Sequence, residues 1–161
     1  MTAKKVFTGS DHAGFELRGR IVGHLRALGL DVEDLGTPTA ESTDYPDWGA
    51  AVARAVRDHA GSLGVVVCGT GIGVCMAANK IHGVRAAVAW NVEAARLSRA
   101  HNDANVLCVG ARLVPEATAF AVVDAWLDTD FEGGRHARRV DKIAALEVEE
   151  ARQRSQQEGR P

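Results

Sequence analysis

The feature that most limits what this chain can fold into is an exchange of periodicity repeated about five times before residue 128. Short apolar or alternating runs take turns with segments whose apolar residues recur at helical spacing. Lys4 to Gly9 carries Val6 and Phe7 and empties into Ser10-Asp11-His12. From Phe15 the residues Leu17, Ile21, Val22, Leu25 and Leu28 predict a helix ended by Gly29. Leu30, Val32 and Leu35 then alternate with acidic residues, a strand signal stopped by Gly36-Thr37-Pro38. Pro46 opens a second helix carrying Trp48, Ala51, Val52, Ala55 and Val56. Leu63 to Cys68 is a β-branched run fit for a strand buried on both faces, and a helix pattern follows to Lys80. Val84 to Trp90 and Val106 to Gly110 read as strands, and Val92 to Arg99 and Pro115 to Leu127 as helices.

Parallel strands need crossover connections, and helices of this length supply them. The predicted fold is therefore a single three-layer α/β/α domain around a five-stranded parallel sheet, which 161 residues are enough to build. In such sheets ligands bind beyond the carboxyl ends of the strands. That rule directs attention to Ser10-Asp11-His12, Gly36-Thr37, Cys68 to Gly73, Trp90-Asn91 and Gly110-Ala111-Arg112.

The end of the chain breaks the rhythm. After Gly133-Gly134 a helix is predicted over 135–152, with Val140, Ile143, Ala144 and Val148 as its apolar stripe. A terminal helix without a following strand must pack on its own domain or on a second copy of the chain. The domain is assigned to residues 1–150, and the polar tail 153–161 is expected to be disordered. Nineteen Lys and Arg against 21 Asp and Glu lack the positive excess of a nucleic-acid binder. No apolar run approaches the roughly 18–20 residues of a membrane span, and Met1-Thr-Ala-Lys-Lys leads into a strand pattern instead of a signal-peptide core. The chain is expected to be soluble and cytoplasmic.

Residues 67–73, Val-Cys-Gly-Thr-Gly-Ile-Gly, carry the most chemical information. Glycines at a helix start let backbone N–H groups converge on an anion. Neither a Walker loop nor a dinucleotide fingerprint fits, since Gly-Lys-Ser/Thr is missing and the spacing is G-x-G-x-G. Cys68 stands at the strand end, where the following helix favours a thiolate able to act as base or nucleophile. Cys75 and Cys108 fall inside elements and read as core thiols, and three cysteines without a C-x-x-C pair suggest neither disulfides nor zinc. His12, beside Asp11, and His101, in Ala-His-Asn-Asp, are placed to exchange protons near neutral pH. His24, His59, His82 and His136 read as structural or surface residues. No metal-ligand spacing appears, so no metal is expected. Arg135, Arg138 and Arg139 share one helix face, and Arg112 follows the fifth strand; guanidinium forks suit a phosphate dianion. The set fits a cofactor-free proton transfer on a phosphorylated substrate.

Six motifs in order carry a family resemblance: Gly-Ser-Asp-His-Ala-Gly-Phe (9–15), Thr-Asp-Tyr-Pro (43–46), Cys-Gly-Thr-Gly-Ile-Gly (68–73), Ala-Ala-Asn-Lys (77–80), Leu-Ser-Arg-x-His-Asn-Asp-x-Asn-Val-Leu (97–107) and Glu-Gly-Gly-Arg-His (132–136). Over residues 4–150 the chain resembles the type B ribose-5-phosphate isomerases, relatives of the galactose-6-phosphate isomerase subunits. The resemblance implies a Rossmann-like sheet, a homodimer or tetramer with active sites across the interface and the terminal helix on the partner, and aldose–ketose isomerisation of ribose 5-phosphate and ribulose 5-phosphate without metal or cofactor. It implies that Cys68 moves the proton between C1 and C2, that Thr70 and the N–H groups of Gly69, Gly71 and Gly73 stabilise the enediolate, and that His101 opens the furanose ring with Asp11 opposite. His12 and Arg112, with Arg135 and Arg139 from the partner chain, would hold the phosphate; Tyr45 and Asn102 would contact sugar hydroxyls. Some members use a Glu in the glycine-rich segment; here that position is Val74, and Cys68 marks the cysteine-base branch. A four- or six-carbon aldose phosphate as substrate, and a non-catalytic sugar-phosphate sensor, are the competing readings.

Overall fold

In the computed structural model, which describes residues 4–158, twelve elements follow one another. They are β1 (Lys5–Ser10), a 3-10 turn (His12–Gly14), α1 (Phe15–Ala27), β2 (Asp31–Asp34), α2 (Tyr45–Asp58), β3 (Leu63–Cys68), α3 (Ile72–Ala78), β4 (Ala86–Val88), α4 (Val92–Asn102), β5 (Val106–Gly110), α5 (Glu116–Leu127) and α6 (Arg135–Glu158). All pairings among the five strands are parallel, in the order β2-β1-β3-β5-β4.

Strand alternation divides the core in two. Val6, Val65, Val67, Leu107 and Val109 face α1 and α5, where Ile21, Leu25, Val122 and the fully buried Trp126 meet them. Phe7, Val66, Cys68, Val106 and Cys108 face the other way, onto Val52 and Val56 of α2 and Val74 and Ala78 of α3. Side chains of a strand point alternately to opposite faces, so β3 and β5 must be apolar throughout to be buried on both sides. This is the expected three-layer sandwich. The chain leaves β1 first toward β2 and later returns to β3 on the other flank, so the order reverses between β1 and β3. That reversal opens a crevice at their carboxyl ends.

Four elements differ from the sequence reading by two residues or more. β4 is three residues, not the run from Val84 to Trp90, because it lies at the sheet edge with one partner strand. α3 ends at Ala78, not Lys80, where the Asn79 side chain takes over, bonding Ala86 through its N–H and carbonyl groups. α4 runs past Arg99 to Asn102 and stops at Asp103, which adopts φ 46° and donates its N–H to Ser98 and Arg99 carbonyls. His101 is thus in the last helical turn, not after the helix. α6 continues through 153–158, expected to be disordered, since no Gly or Pro interrupts it before Gly159 and Gln153 bonds Glu149 one turn back. Residues 159–161 of that tail lie outside the described residues. Among the described residues no helix is long and apolar enough to cross a membrane.

Candidate active site

One group of expected site residues gathers at the carboxyl ends of β1, β3 and β5. Asp11, buried, accepts the Gly14 N–H at 3.1 Å and so caps the 3-10 turn that carries His12. His12 Nδ1 lies 3.2 Å from both the backbone N and O of Thr43, which ties it to the loop entering α2. On the adjacent strand end, Cys68 Sγ accepts the backbone N–H of Gly71 at 3.2 Å. Gly71 adopts φ 77°, a left-handed conformation that glycine takes without steric cost. The next strand closes the wall: Ala111 and Arg112 donate their N–H groups to the carbonyls of Cys68 and Gly69, both at 2.9 Å.

The glycines make room for particular neighbours. A Cβ on Gly69 would lie 3.1 Å from Arg112 Nη1, so the guanidinium rests over the loop. A Cβ on Gly73 would strike the Tyr45 ring at 2.6 Å. Thr70 is exposed at the rim, where its Oγ1 accepts the Ile72 N–H at 3.3 Å. The result is a thiol held by the Gly71 N–H, in a loop with Arg112 against Gly69 and the Tyr45 ring against Gly73, and with His12 just past the end of the adjacent strand β1. Arg18, which the sequence reading passed over, braces this end from below. It is buried and donates to Ser10 Oγ at 3.1 Å and the Thr37 carbonyl at 2.9 Å, and it pairs with Asp34 at 3.2 Å.

The second group lies at the other end of the sheet. Asn102 accepts a hydrogen bond from Arg85, the residue just before β4, so the end of α4 sits beside the strands' amino ends. Cys68 pairs with Gly110 at the far end of β5 from Val106, a separation of about 13 Å along the strand alone. Around His101 gather Arg135, His136 and Glu132: the Glu132 N–H donates to the Ala100 carbonyl at 3.0 Å, and the His101 and His136 rings stack with centroids 4.1 Å apart. Arg139, one turn further along α6, is exposed like Arg135. Within one chain, then, the structure does not bring His101 or Asn102 to Asp11 and Cys68. They belong with the two arginines.

His136, read from sequence as structural or surface, is buried, and burial with the nearby charges of His101 and Arg135 pushes its pKa down. The signal available in sequence was only its place after Arg135. His101, Glu132 and His136 also form the one set of potential metal ligands among the described residues, their ligand atoms within 4.8 Å of one another. The two imidazole planes are 4° apart and stacked, so their in-plane lone pairs run in separate parallel planes and do not converge on one ion. Cys75 and Cys108 stand apart from the loop chemistry: burial raises the Cys108 thiol well above its ordinary value, while its hydrogen bond lowers Cys75.

Comparison with known proteins bears on this geometry. The profile of the Ribose/Galactose Isomerase family matches residues 6–143. The chain is 48% identical over 144 residues to the ribose-5-phosphate isomerase B of Escherichia coli K12, covering 89% of this chain and 97% of that one. It is 40% identical over 146 residues to a D-erythrulose-4-phosphate isomerase of Pectobacterium atrosepticum, covering 90% and 96%. Its fold superposes with a TM-score of 0.89 and 43% identity on the crystal structure of ribose-5-phosphate isomerase B from Mycoplasma genitalium with bound ribulose-5-phosphate, over 92% of this chain and 99% of that one.

A parallel α/β domain with a thiol and a glycine loop at its switch point is thus an enzyme of the isomerase class. The chain belongs to the ribose/galactose isomerase family, and its resemblance to the type B ribose-5-phosphate isomerases holds over nearly its whole described length.

Proposed function

We propose that the protein interconverts ribose 5-phosphate and ribulose 5-phosphate through an enediolate, with Cys68 as the base and without metal or cofactor. The observation that carries this reading is the Cys68 thiol sulfur held by the Gly71 N–H at the mouth of a glycine loop. In the forward direction the furanose opens with a proton moved from O1 to the ring oxygen, the role given to His101. Cys68 thiolate takes the proton from C2; the C–H electrons form the C1–C2 double bond and the aldehyde oxygen becomes the enediolate oxygen. Donors of the 69–73 loop and Thr70 face that charge. A proton passes from O2 to O1, the Cys68 thiol returns its proton to C1, and the C2 carbonyl forms. His12, Arg112, Arg135 and Arg139 hold the phosphate; Tyr45 and Asn102 contact sugar hydroxyls.

The site needs two copies of the chain. Cys68, His12 and Arg112 lie at one end of the sheet and His101, Asn102 and the α6 arginines at the other, so one pentose phosphate reaches both groups only if a partner supplies the second. The uncovered apolar surface supports this: Tyr45, Ile72, Met76 and Leu113 are exposed near the first group, and Ile143 and Leu146 are exposed on α6. His101 and Asn102 therefore come from the partner together with Arg135 and Arg139.

The test is turnover of ribose 5-phosphate by the metal-stripped protein beside Cys68→Ala. Turnover by the parent lost by about 10³-fold or more in the variant is expected; an unimpaired variant overturns the cysteine mechanism. The Pectobacterium relative's name gives a second substrate weight. The same residues would act on a four-carbon ketose phosphate, and kcat/KM across four-, five- and six-carbon phosphates decides between them.

A further inference from the structure

The stacked pair of imidazoles has more structure than a chance contact. His101 comes from the last turn of α4 and His136 from the first turn of α6, yet their planes are 4° apart at a centroid distance of 4.1 Å. The two rings are unequal. The His136 side chain is 8% exposed, whereas that of His101 is 35% exposed. Glu132 serves both: its N–H binds the Ala100 carbonyl next to His101, and one carboxylate oxygen lies 3.5 Å from His136 Nε2 and 3.8 Å from His101 Nε2. The Arg135 Nε–H donates to His136 Nε2 at 3.4 Å. The His136 Nε2 edge therefore faces both the Arg135 guanidinium and the Glu132 carboxylate, which together hold the ring in its plane. The start of α6 that holds this arrangement is set by Gly133 and Gly134, with φ 65° and 54°.

We infer that His136 and Glu132 are positioning residues for His101: the buried ring of His136 is a flat wall that fixes the orientation of the His101 ring, and the Glu132 carboxylate faces its Nε2. The inference rests on the reading of His101 as the group that opens the sugar ring. It gives His136 and Glu132 roles without substrate contact. Because Arg135 is a neighbour in sequence and its Nε–H lies on His136, capture of the phosphate and placement of the His101 ring share one helical turn. Misplacing a reacting group by about 1 Å costs on the order of 10²-fold in rate, so a lost wall is read in kcat and not in KM.

Three substitutions separate the functions of His136. His136→Phe keeps the flat face and loses the acceptor, His136→Gln keeps an acceptor and loses the face, and His136→Ala loses both. With ribose 5-phosphate, kcat is expected to fall about tenfold or more in the Ala and Gln variants with KM within about twofold, and to recover to within about threefold of the parent in the Phe variant. Glu132→Gln, at an exposed position, is expected to lower kcat with KM unchanged and covers the case in which His136→Ala fails to fold. A rise in KM alone, or a Phe variant as slow as a folded Ala variant, overturns the inference. Proton NMR of the His101 ring tests it without substrate: stacking shifts its Cε1–H upfield, and that shift is expected to vanish in His136→Ala and persist in His136→Phe. An unchanged resonance in His136→Ala means that no stack orders His101 and also overturns the inference. His101→Ala keeps the two levels apart. If it isomerises at the parent rate, the ring-opening assignment falls and this inference with it; if it is impaired while His136→Ala is not, only the inference falls.

Discussion

The Gly71 N–H reaches Cys68 Sγ at 3.2 Å across a turn closed by a left-handed residue. Any L side chain at φ 77° costs about 1–2 kcal/mol, and here a Cβ would also lie 3.0 Å from Gly110 N and the Val109 carbonyl carbon. Gly71→Ala is therefore expected to lower stability by about 1–3 kcal/mol in urea unfolding and, because the loop must shift, to lower kcat by at least tenfold. A variant with wild-type kcat would show that the donor at this position does not act on the reacting thiol.

Tyr45 and Gly73 are coupled by contact. The phenol ring occupies the space where a side chain on residue 73 would stand, so Gly73→Ala must move either the ring or the first turn of α3. On the proposed role of Tyr45 in contacting sugar hydroxyls, the expected result is a severalfold rise in KM for ribose 5-phosphate with a smaller effect on kcat. Tyr45→Phe, which removes only the hydroxyl, should reproduce part of that rise. Steady-state kinetics of the two variants side by side checks it, and a Gly73→Ala defect confined to kcat would reassign the contact.

The layered fold was legible because β3 and β5 must be apolar on both faces and the helices between them keep their stripes; runs such as Leu63 to Cys68 state this directly. The first half of the site was legible for the same reason, since strand ends at a switch point collect ligands. The grouping of the rest was not. His101 and His136 stand 35 positions apart, and their meeting depends on how α4 and α6 pack, a tertiary relation that neither helix's periodicity encodes. Edge strands were also poorly marked: β2 is Asp-Val-Glu-Asp, mostly exposed, and was visible only by its alternation. Arg18 was hidden because a buried arginine looks like any surface arginine in a helix until Ser10, Asp34 and Thr37 are seen around it.

The division of the site between the two ends of the sheet has a quantitative consequence. For the two-copy site proposed above, the Cys68→Ala and His101→Ala proteins should each be inactive or nearly so. Mixed subunits that exchange freely would form heterodimers in which one site has both defects and the other has neither. With half of the dimers mixed, and one sound site of two in each, activity should recover to about one quarter of the parent. No recovery after verified subunit exchange would mean that Cys68 and His101 act from the same chain.

The lowered pKa of His136 makes stability depend on pH in a stated direction. Burial is the first cause and the charges of His101 and Arg135 follow, and all three oppose protonation in the folded state. The unfolded chain titrates near the ordinary 6.5, so above that value both states are neutral at this residue and its contribution is constant. As pH falls below 6.5 the unfolded chain takes up the proton first and stability drops; the drop levels off once pH is below the folded value. His136→Phe, which keeps the ring but cannot titrate, should remove this part of the slope between pH 7 and pH 5, read as the difference in urea midpoint between parent and variant. His101→Ala should reduce it, since one of the opposing charges is gone. Parallel midpoint curves for parent and His136→Phe across that range would mean that His136 takes up its proton as readily folded as unfolded.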